Sequence, residues 1–183
     1  MQFKLLDARD KELFKNDIIK ILTEADNDFV PPLSKRSSTI DKSFSSEAVN
    51  CGGIESYFAE MRKQEIMAVF ENGEIIGFVS YRLNFSCDEI AECDSHNLYV
   101  STLVLSGNAR GKGITKKLYS YVFNELYPDR NIFTRTWSTN LAHVKILKSF
   151  GFDELVRKID DRGKGIDTVY YKKISASLCA TVE

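Results

Sequence analysis

The chain has 183 residues, enough for one domain with a sizeable core. Its 43% hydrophobic and 28% charged content is that of an ordinary soluble globular protein, and 25 basic against 26 acidic residues leave a net charge of −1. That balance excludes the overall basic excess by which proteins hold long polyanions, and no apolar run approaches the ~18 residues of a membrane span, so neither nucleic acid nor membrane is an expected partner. Met1 to Asp7 lacks the charged and apolar regions of a secretory signal. Cys51, Cys87, Cys93 and Cys179 form no C-x-x-C pair, so the expectation is reduced thiols and a cytoplasmic setting.

Gln2 to Asp7 reads as a first strand. From Lys11 to Ala25, Leu13, Phe14, Ile18, Ile19, Ile21 and Leu22 recur at helical spacing. Asp26 to Ser45 is polar, is interrupted by Pro31-Pro32, and reads as a loop. A second helix is expected from about Ser46 to Lys63, with Cys51-Gly52-Gly53 as its weak point. Glu65 to Glu71 and Glu74 to Leu83 are strand-like. Asn72-Gly73 between them is a strong hairpin signal, because both residues tolerate positive φ. The cluster Cys87, Asp88, Glu92, Cys93, Asp94 and His96 lacks the paired spacing of a structural zinc site; it reads as an acidic connector, and no metal is expected.

Leu98 to Leu105 is a further strand. Gly113 to Tyr127 reads as a helix, with Ile114, Leu118, Val122 and Leu126 in step and Pro128 beyond its end. Asn131 to Trp137 is a strand whose final Trp reads as core. A helix follows from about Asn140 to Phe150, stopped by Gly151, a residue type suited to a left-handed cap. Phe152 to Ile159 and Asp167 to Ile174 close the chain as a strand pair. The fold class is therefore α/β (α+β), one domain over 1–183, with a mixed, mostly antiparallel, twisted sheet of about six to seven strands flanked by about four helices.

The pentapeptide Arg110-Gly-Lys-Gly-Ile recurs at Arg162. The first copy follows a strand and opens a helix, where free N–H groups can converge on an anion; the second lies between strands and reads as a hairpin connection. Glycines at 107, 111 and 113 allow close backbone approach. The helix start carries Arg110, Lys112, Lys116 and Lys117, with no acid until Glu125. Cations at the positive end of a helix are unfavourable unless an anion joins them, which points to a phosphate or pyrophosphate ligand. Two nucleotide patterns fail on spacing: Gly107 stands too close to Gly111-Lys112 for a P-loop, and Gly111-x-Gly113 is followed by Lys116 rather than glycine.

With these residues the sequence resembles the GNAT superfamily of N-acetyltransferases, whose phosphate loop has Gln or Arg, two residues, Gly, one residue, then Gly or Ala. Arg110 and Gly113 match, and Thr115 takes the last place. Asn140-Leu-Ala-His-Val-Lys-Ile-Leu-Lys-Ser-Phe-Gly151-Phe152 resembles the family's second coenzyme A motif. The resemblance implies acetyl-CoA as acyl donor. The backbone of Leu103, Val104 and Leu105 would pair with the pantetheine arm, as an added strand would. N–H groups of Arg110, Gly111, Lys112, Gly113, Ile114 and Thr115 would hold the pyrophosphate. Asn140 would meet the cofactor near its thioester, besides capping its helix, and Lys145 or Lys117 would meet the outer phosphate.

Catalytic groups follow less directly. The family's usual Glu, on the strand before the loop, falls near Tyr99, and Glu92, Asp94 or His96 are the substitutes within reach in sequence. The family's acidic Tyr, seven residues after the Asn, is Leu147. Tyr99, Tyr170 or Tyr171 could reach the sulfur instead; Tyr99 and Tyr171 are the catalytic candidates. The expected function is acetyl transfer to a primary amine of a small molecule or peptide. The alternative is a coenzyme A-binding module without catalysis. A nucleic-acid- or protein-binding use of the Arg110 to Lys117 cluster is the reading that the balanced charge opposes. A homodimer through a sheet edge is compatible with such a fold.

Overall fold

The structure, a computed structural model, describes residues 1–36, 52–85 and 96–175. The cysteine-rich cluster from Cys87 to Asp94, with the candidate bases Glu92 and Asp94, and the first turns of the helix expected from Ser46 lie outside these residues. Among the described residues seven strands form one sheet: β1 (Gln2–Leu5), β2 (Glu65–Glu71), β3 (Glu74–Leu83), β4 (Asn97–Leu105), β5 (Asn131–Trp137), β6 (Asp153–Lys158) and β7 (Thr168–Lys173). Their order is β1-β2-β3-β4-β5-β7-β6. β4 and β5 run parallel. The pairs β1–β2, β2–β3, β5–β7 and β6–β7 are antiparallel, so the sheet is mixed as expected. The α-helices are α1 (Ala8–Leu13), α2 (Lys15–Glu24), α3 (Gly53–Met61), α4 (Ile114–Ser120) and α5 (Leu141–Ser149). The chain divides into two compact units, Met1–Tyr81 with Ser101–Leu118, and Arg82–Val100 with Tyr119–Glu183.

In the first unit, one helix was expected from Lys11 to Ala25 and two are found. Asp7 and Asp10 form a reciprocal capping box that starts α1 early. Lys4 Nζ holds the Asp10 carboxylate at 2.7 Å. Phe14 ends α1 and begins α2, and its ring packs edge-on to Phe70 at 5.2 Å. The break resets the helical phase, which leaves Leu13 69% exposed while Ile18, Ile21 and Leu22 enter the core with Tyr57, Phe58, Met61, Ile66 and Phe78. The Asn72-Gly73 turn has φ of 52° and 85°, the paired positive values of a tight hairpin.

Close packing of β3 on β4 rests on Gly77. A Cβ there would collide with the Leu105 side chain and stand 2.7 Å from the Val104 carbonyl oxygen. Polar side chains fix the same part of β4. Ser101 Oγ bonds Ser80 Oγ at 2.9 Å and donates to the Gln64 side-chain oxygen, and Tyr57 OH lies 2.6 Å from Thr102 Oγ1.

In the second unit, the β4–β5 ladder runs from Asn97↔Asn131 to Val100↔Thr134. Thr134 Oγ1 donates to the Val100 carbonyl at 3.1 Å. β7 lies between β5 and β6, with Arg162 of the second Arg-Gly-Lys-Gly copy in the β6–β7 connection, where its N–H donates to the Ile166 carbonyl. The helix expected to run to Tyr127 changes pitch: Tyr121–Leu126 is π-helical, and Tyr127 N–H bonds the Val122 carbonyl at 3.1 Å. Phe123 stacks on Tyr119 and meets Phe150 and Phe152 edge-on or tilted. Phe152 N–H to Leu147 O and Gly151 N–H to Lys148 O, with Gly151 at φ 78°, make the expected left-handed stop of α5.

Replacing Gly77 with Ala is expected to destabilise the protein by about 1–3 kcal/mol in chemical denaturation, the range for overpacking a tight contact. Gly107→Ala, where a Cβ meets nothing within 4 Å, is the control and should change stability by less than about 0.5 kcal/mol.

Candidate functional site

After β4 the chain makes a 3₁₀ turn, Gly107–Ala109, which buries Ala109. Ser106 N–H bonds the Ile76 carbonyl at 2.9 Å and anchors the start of the loop. Gly111 and Gly113 follow at φ 74° and 72°, conformations that glycine alone adopts without strain. A Cβ at Gly107, Gly111 or Gly113 would meet nothing within 4 Å, so the loop backbone borders open space. Gly111, Lys112 and Gly113 have N–H groups with no hydrogen-bond partner among the described residues. Ile114, Thr115 and Lys116 add the first N–H groups of α4, which a helix leaves unpaired. Arg110 N–H differs, being taken by the Gly107 carbonyl at 3.3 Å. Six successive N–H groups, from Gly111 to Lys116, can therefore serve an anion.

The basic side chains divide. Arg110 Nη2 meets the Asp28 carboxylate at 2.7 Å and its Nε donates to the Leu105 carbonyl at 3.2 Å. Both charges are about half exposed, so this pair contributes little stability, roughly 0–1 kcal/mol. It does give Arg110 an anion that the sequence did not announce, because Asp28 lies in a distant polar loop. Lys112, Lys116 and Lys117 are exposed and have no partner among the described residues. Of the β4 residues expected to meet a pantetheine arm, Val104 is buried in the core, while Leu103 and Leu105 are half-buried.

The second unit holds the other expected residues. Asn140 caps α5: its Oδ1 accepts from His143 N–H at 3.3 Å, and its Nδ2 donates to Thr136 Oγ1 at 3.2 Å. Lys145 is exposed on α5, and Leu147 is fully buried on it. Tyr99 is buried with its ring 4.6 Å from Phe85. Tyr171, on β7 between Thr134 and Glu154, is buried, and burial holds its phenol above the usual range with the Glu154 charge adding to the effect. His96 is exposed and bonds the Asp129 carboxylate at 2.9 Å. Trp137 was expected in the core but is half-buried, with the Arg162 guanidinium 5.6 Å from its ring centre.

One pair escaped the sequence reading. Tyr119 OH lies 2.8 Å from His143 Nε2, which joins α4 to α5. Tyr119 is fully buried, and burial pushes its phenol far above the usual range. Burial also lowers His143 to about 4, so its imidazole is neutral at pH 7. A histidine on the first turn of a capped helix was the available signal; its partner, an aromatic at a core position of another helix, was not.

The profile of the acetyltransferase (GNAT) family matches residues 33–152. The chain belongs to the acetyltransferase (GNAT) family. Solved acetyltransferase structures share the fold at low identity. A ribosomal-protein-alanine N-acetyltransferase from Brucella melitensis is 15% identical with a TM-score of 0.64, covering 95% of this chain and 99% of its own. An N-acetyltransferase from Staphylococcus aureus Mu50 is 16% identical with a TM-score of 0.63, covering 95% and 99%. An acetyltransferase from Salmonella typhimurium, solved with its cofactor acetyl-CoA, is 15% identical with a TM-score of 0.62, covering 95% and 93%. No curated protein sequence matches the chain.

Because the folded His143 titrates near 4 and an unfolded one near 6.5, the unfolded state binds the extra proton between these values. The stability contributed by the neutral ring is complete above pH 6.5 and lost as pH falls toward 4. Denaturation from pH 7.5 to 4.5 should therefore cost the wild type on the order of 2 kcal/mol more than a His143→Gln variant. Parallel pH profiles for the two proteins would remove the assignment.

Proposed function

We propose that the protein is an acetyl-CoA-dependent N-acetyltransferase that acts on a primary amine of a small molecule or peptide. The observation that carries this reading is the run of N–H groups from Gly111 to Lys116, opened by two positive-φ glycines beside empty space. Its composition suits a pyrophosphate: six successive N–H donors without partners among the described residues, no Cβ at the glycines and three exposed lysines on the same segment. Membership of the GNAT family supports the same reading.

Bound acetyl-CoA supplies an activated thioester carbonyl, on which an amine forms an amide as the thiolate departs. The loop N–H groups fix the phosphates, and the backbone of Leu103 and Leu105 is offered to the pantetheine arm. Arg110 already occupies the Leu105 carbonyl, so that group is held within the protein. Asn140 and Lys145, or Lys117, keep the cofactor contacts that the family resemblance implies. Proton transfer has no obvious exposed donor: Leu147 is apolar, and Tyr99 and Tyr171 are buried. The rate is therefore assigned mainly to orientation of the reacting groups, which in well-aligned systems contributes up to about 7–11 kcal/mol.

Thermal unfolding with acetyl-CoA tests the reading. At a hundredfold excess over Kd the wild type should gain about 2.7 kcal/mol, and Lys112→Glu/Lys116→Glu should lose most of that gain without losing stability of its own. Thiol release with a panel of amines then separates an enzyme from a binding module, which the buried Leu147 and Tyr99 favour as a second reading. Stabilisation without turnover on any amine would select the module; no stabilisation at millimolar acetyl-CoA would sink both.

A further inference from the structure

Asp28 and Arg110 are far apart in sequence yet meet within the first unit, with Oδ2 and Nη2 2.7 Å apart. Asp28 sits on a segment that holds itself in place. Asp26–Asp28 is a 3₁₀ turn, in which Asp28 N–H donates to the Ala25 carbonyl at 3.0 Å and Phe29 N–H to the Asp26 carbonyl at 3.3 Å. The Asp26 carboxylate is occupied inside the same segment, accepting from Ser34 N–H and Ser34 Oγ at 2.8 Å each. Leu33 is fully buried, and Phe29 packs against the core of the unit. The Asp28 carboxylate is the one of the two that reaches out of the segment.

Arg110 closes the turn that follows β4. Its N–H donates to the Gly107 carbonyl at 3.3 Å and its Nε to the Leu105 carbonyl at 3.2 Å, which ties the loop back to the end of the strand. The run of N–H groups without partners among the described residues starts at the next residue, Gly111. Gly107, Gly111 and Gly113 make this loop costly to fix, because glycine loses more conformational freedom on ordering than any other residue. Arg110 stands between the first two of them, and Asp28 anchors it from outside the loop. Charge points the same way. The pair has no net charge and offers a phosphate little attraction, so the loop's cations are Lys112, Lys116 and Lys117.

We propose that the Arg110 guanidinium braces the loop and is not a phosphate ligand, and that Asp28 is the positioning residue that sets it. The proposal rests on the acetyl-CoA reading above. Asp28 acts on affinity through Arg110: the loop is held in shape without ligand, and less ordering remains for binding to impose. The sign of its effect is diagnostic. By charge alone, removing a carboxylate near a bound anion tightens binding; removing an anchor weakens it.

Calorimetric titration of the full chain with acetyl-CoA tests this. Asp28→Ala should weaken Kd about two- to fivefold, the worth of a half-exposed ion pair. Arg110→Gln should weaken it at least as much. The double variant Asp28→Ala/Arg110→Gln should bind no worse than Arg110→Gln, since Asp28 acts through that side chain. Arg110→Lys keeps the charge but lacks the planar fork that holds Asp28 and the Leu105 carbonyl together, and should bind like Arg110→Gln. In unliganded Asp28→Ala, ¹⁵N order parameters should fall from Gly107 to Gly113 and keep wild-type values in the Asn72-Gly73 hairpin. Every variant should melt within about 4 °C of the wild type, because a half-exposed pair adds little stability. Unchanged or tighter binding by Asp28→Ala, wild-type binding by Arg110→Lys, losses that add in the double variant, an unaltered loop or a larger drop in melting temperature would each overturn the proposal and leave the acetyl-CoA reading standing. A wild type that fails to bind acetyl-CoA removes both, and its own titration shows that separately.

Discussion

The hydrogen bonding of β4 is the constraint from which the rest follows. A strand must pair its N–H and C=O groups on both sides or leave them for something else. β4 meets β5 in parallel only from Asn97 to Val100, yet it continues to Leu105. Over that continuation its position is set from the β3 side. Gly77 lets the two backbones approach, Ser80 holds Ser101, and Ile76 takes the N–H of Ser106. The loop that follows thus begins from a fixed point, and its glycines can spend their conformational freedom on turning N–H groups outward. A loop so built presents its unpaired N–H groups in place without any ligand, and binding by such a loop would carry a smaller ordering entropy.

Much of this was legible because it depends on neighbours in sequence. Asn72-Gly73 dictates its own turn, Asn140 and Gly151 bracket a helix by local hydrogen bonds, and Gly111 and Gly113 advertise positive φ by residue type. The central strands β2 to β5 are local runs of apolar and β-branched residues. Strand order is another matter: that β7 inserts between β5 and β6 follows from pairing over long chain separations, which no window of residues reveals. Helix interruptions were hidden for a similar reason. The apolar spacing from Leu13 to Leu22 fits one continuous helix, whereas the chain breaks at Phe14, whose ring packs on the distant Phe70. The π-helical turn after Ser120 lies where Phe123 packs against Tyr119 and the distant Phe150.

In the site, the same division separates backbone from side chains. The loop conformation was readable, whereas the fate of its cations was not, since Arg110 is claimed by Asp28 while the lysines stay free. The electrostatic argument for an anion is accordingly narrower than the sequence suggested. It rests on Lys112, Lys116 and Lys117 against the helix start, and on the N–H groups from Gly111 to Lys116 that have no partner among the described residues. Trp137 gives the converse case. Its size alone favoured the core, but the connection carrying Arg162 covers its ring and leaves it half-buried.

The burial pattern also bears on how an acyl transferase on this scaffold would work. A general acid needs a proton to give near neutral pH and a path to the leaving group. Tyr171 and Tyr119 are buried phenols held above their usual range, so each gives up a proton less readily than a phenol in water. His143 fails in the opposite sense, because a ring that stays neutral down to about pH 4 carries no spare proton at pH 7. Burial has thus removed these groups as acids without removing them as hydrogen-bond donors. A thiolate is a good leaving group that water can protonate after it departs, so chemistry of this kind tolerates the loss of an acid better than the loss of alignment.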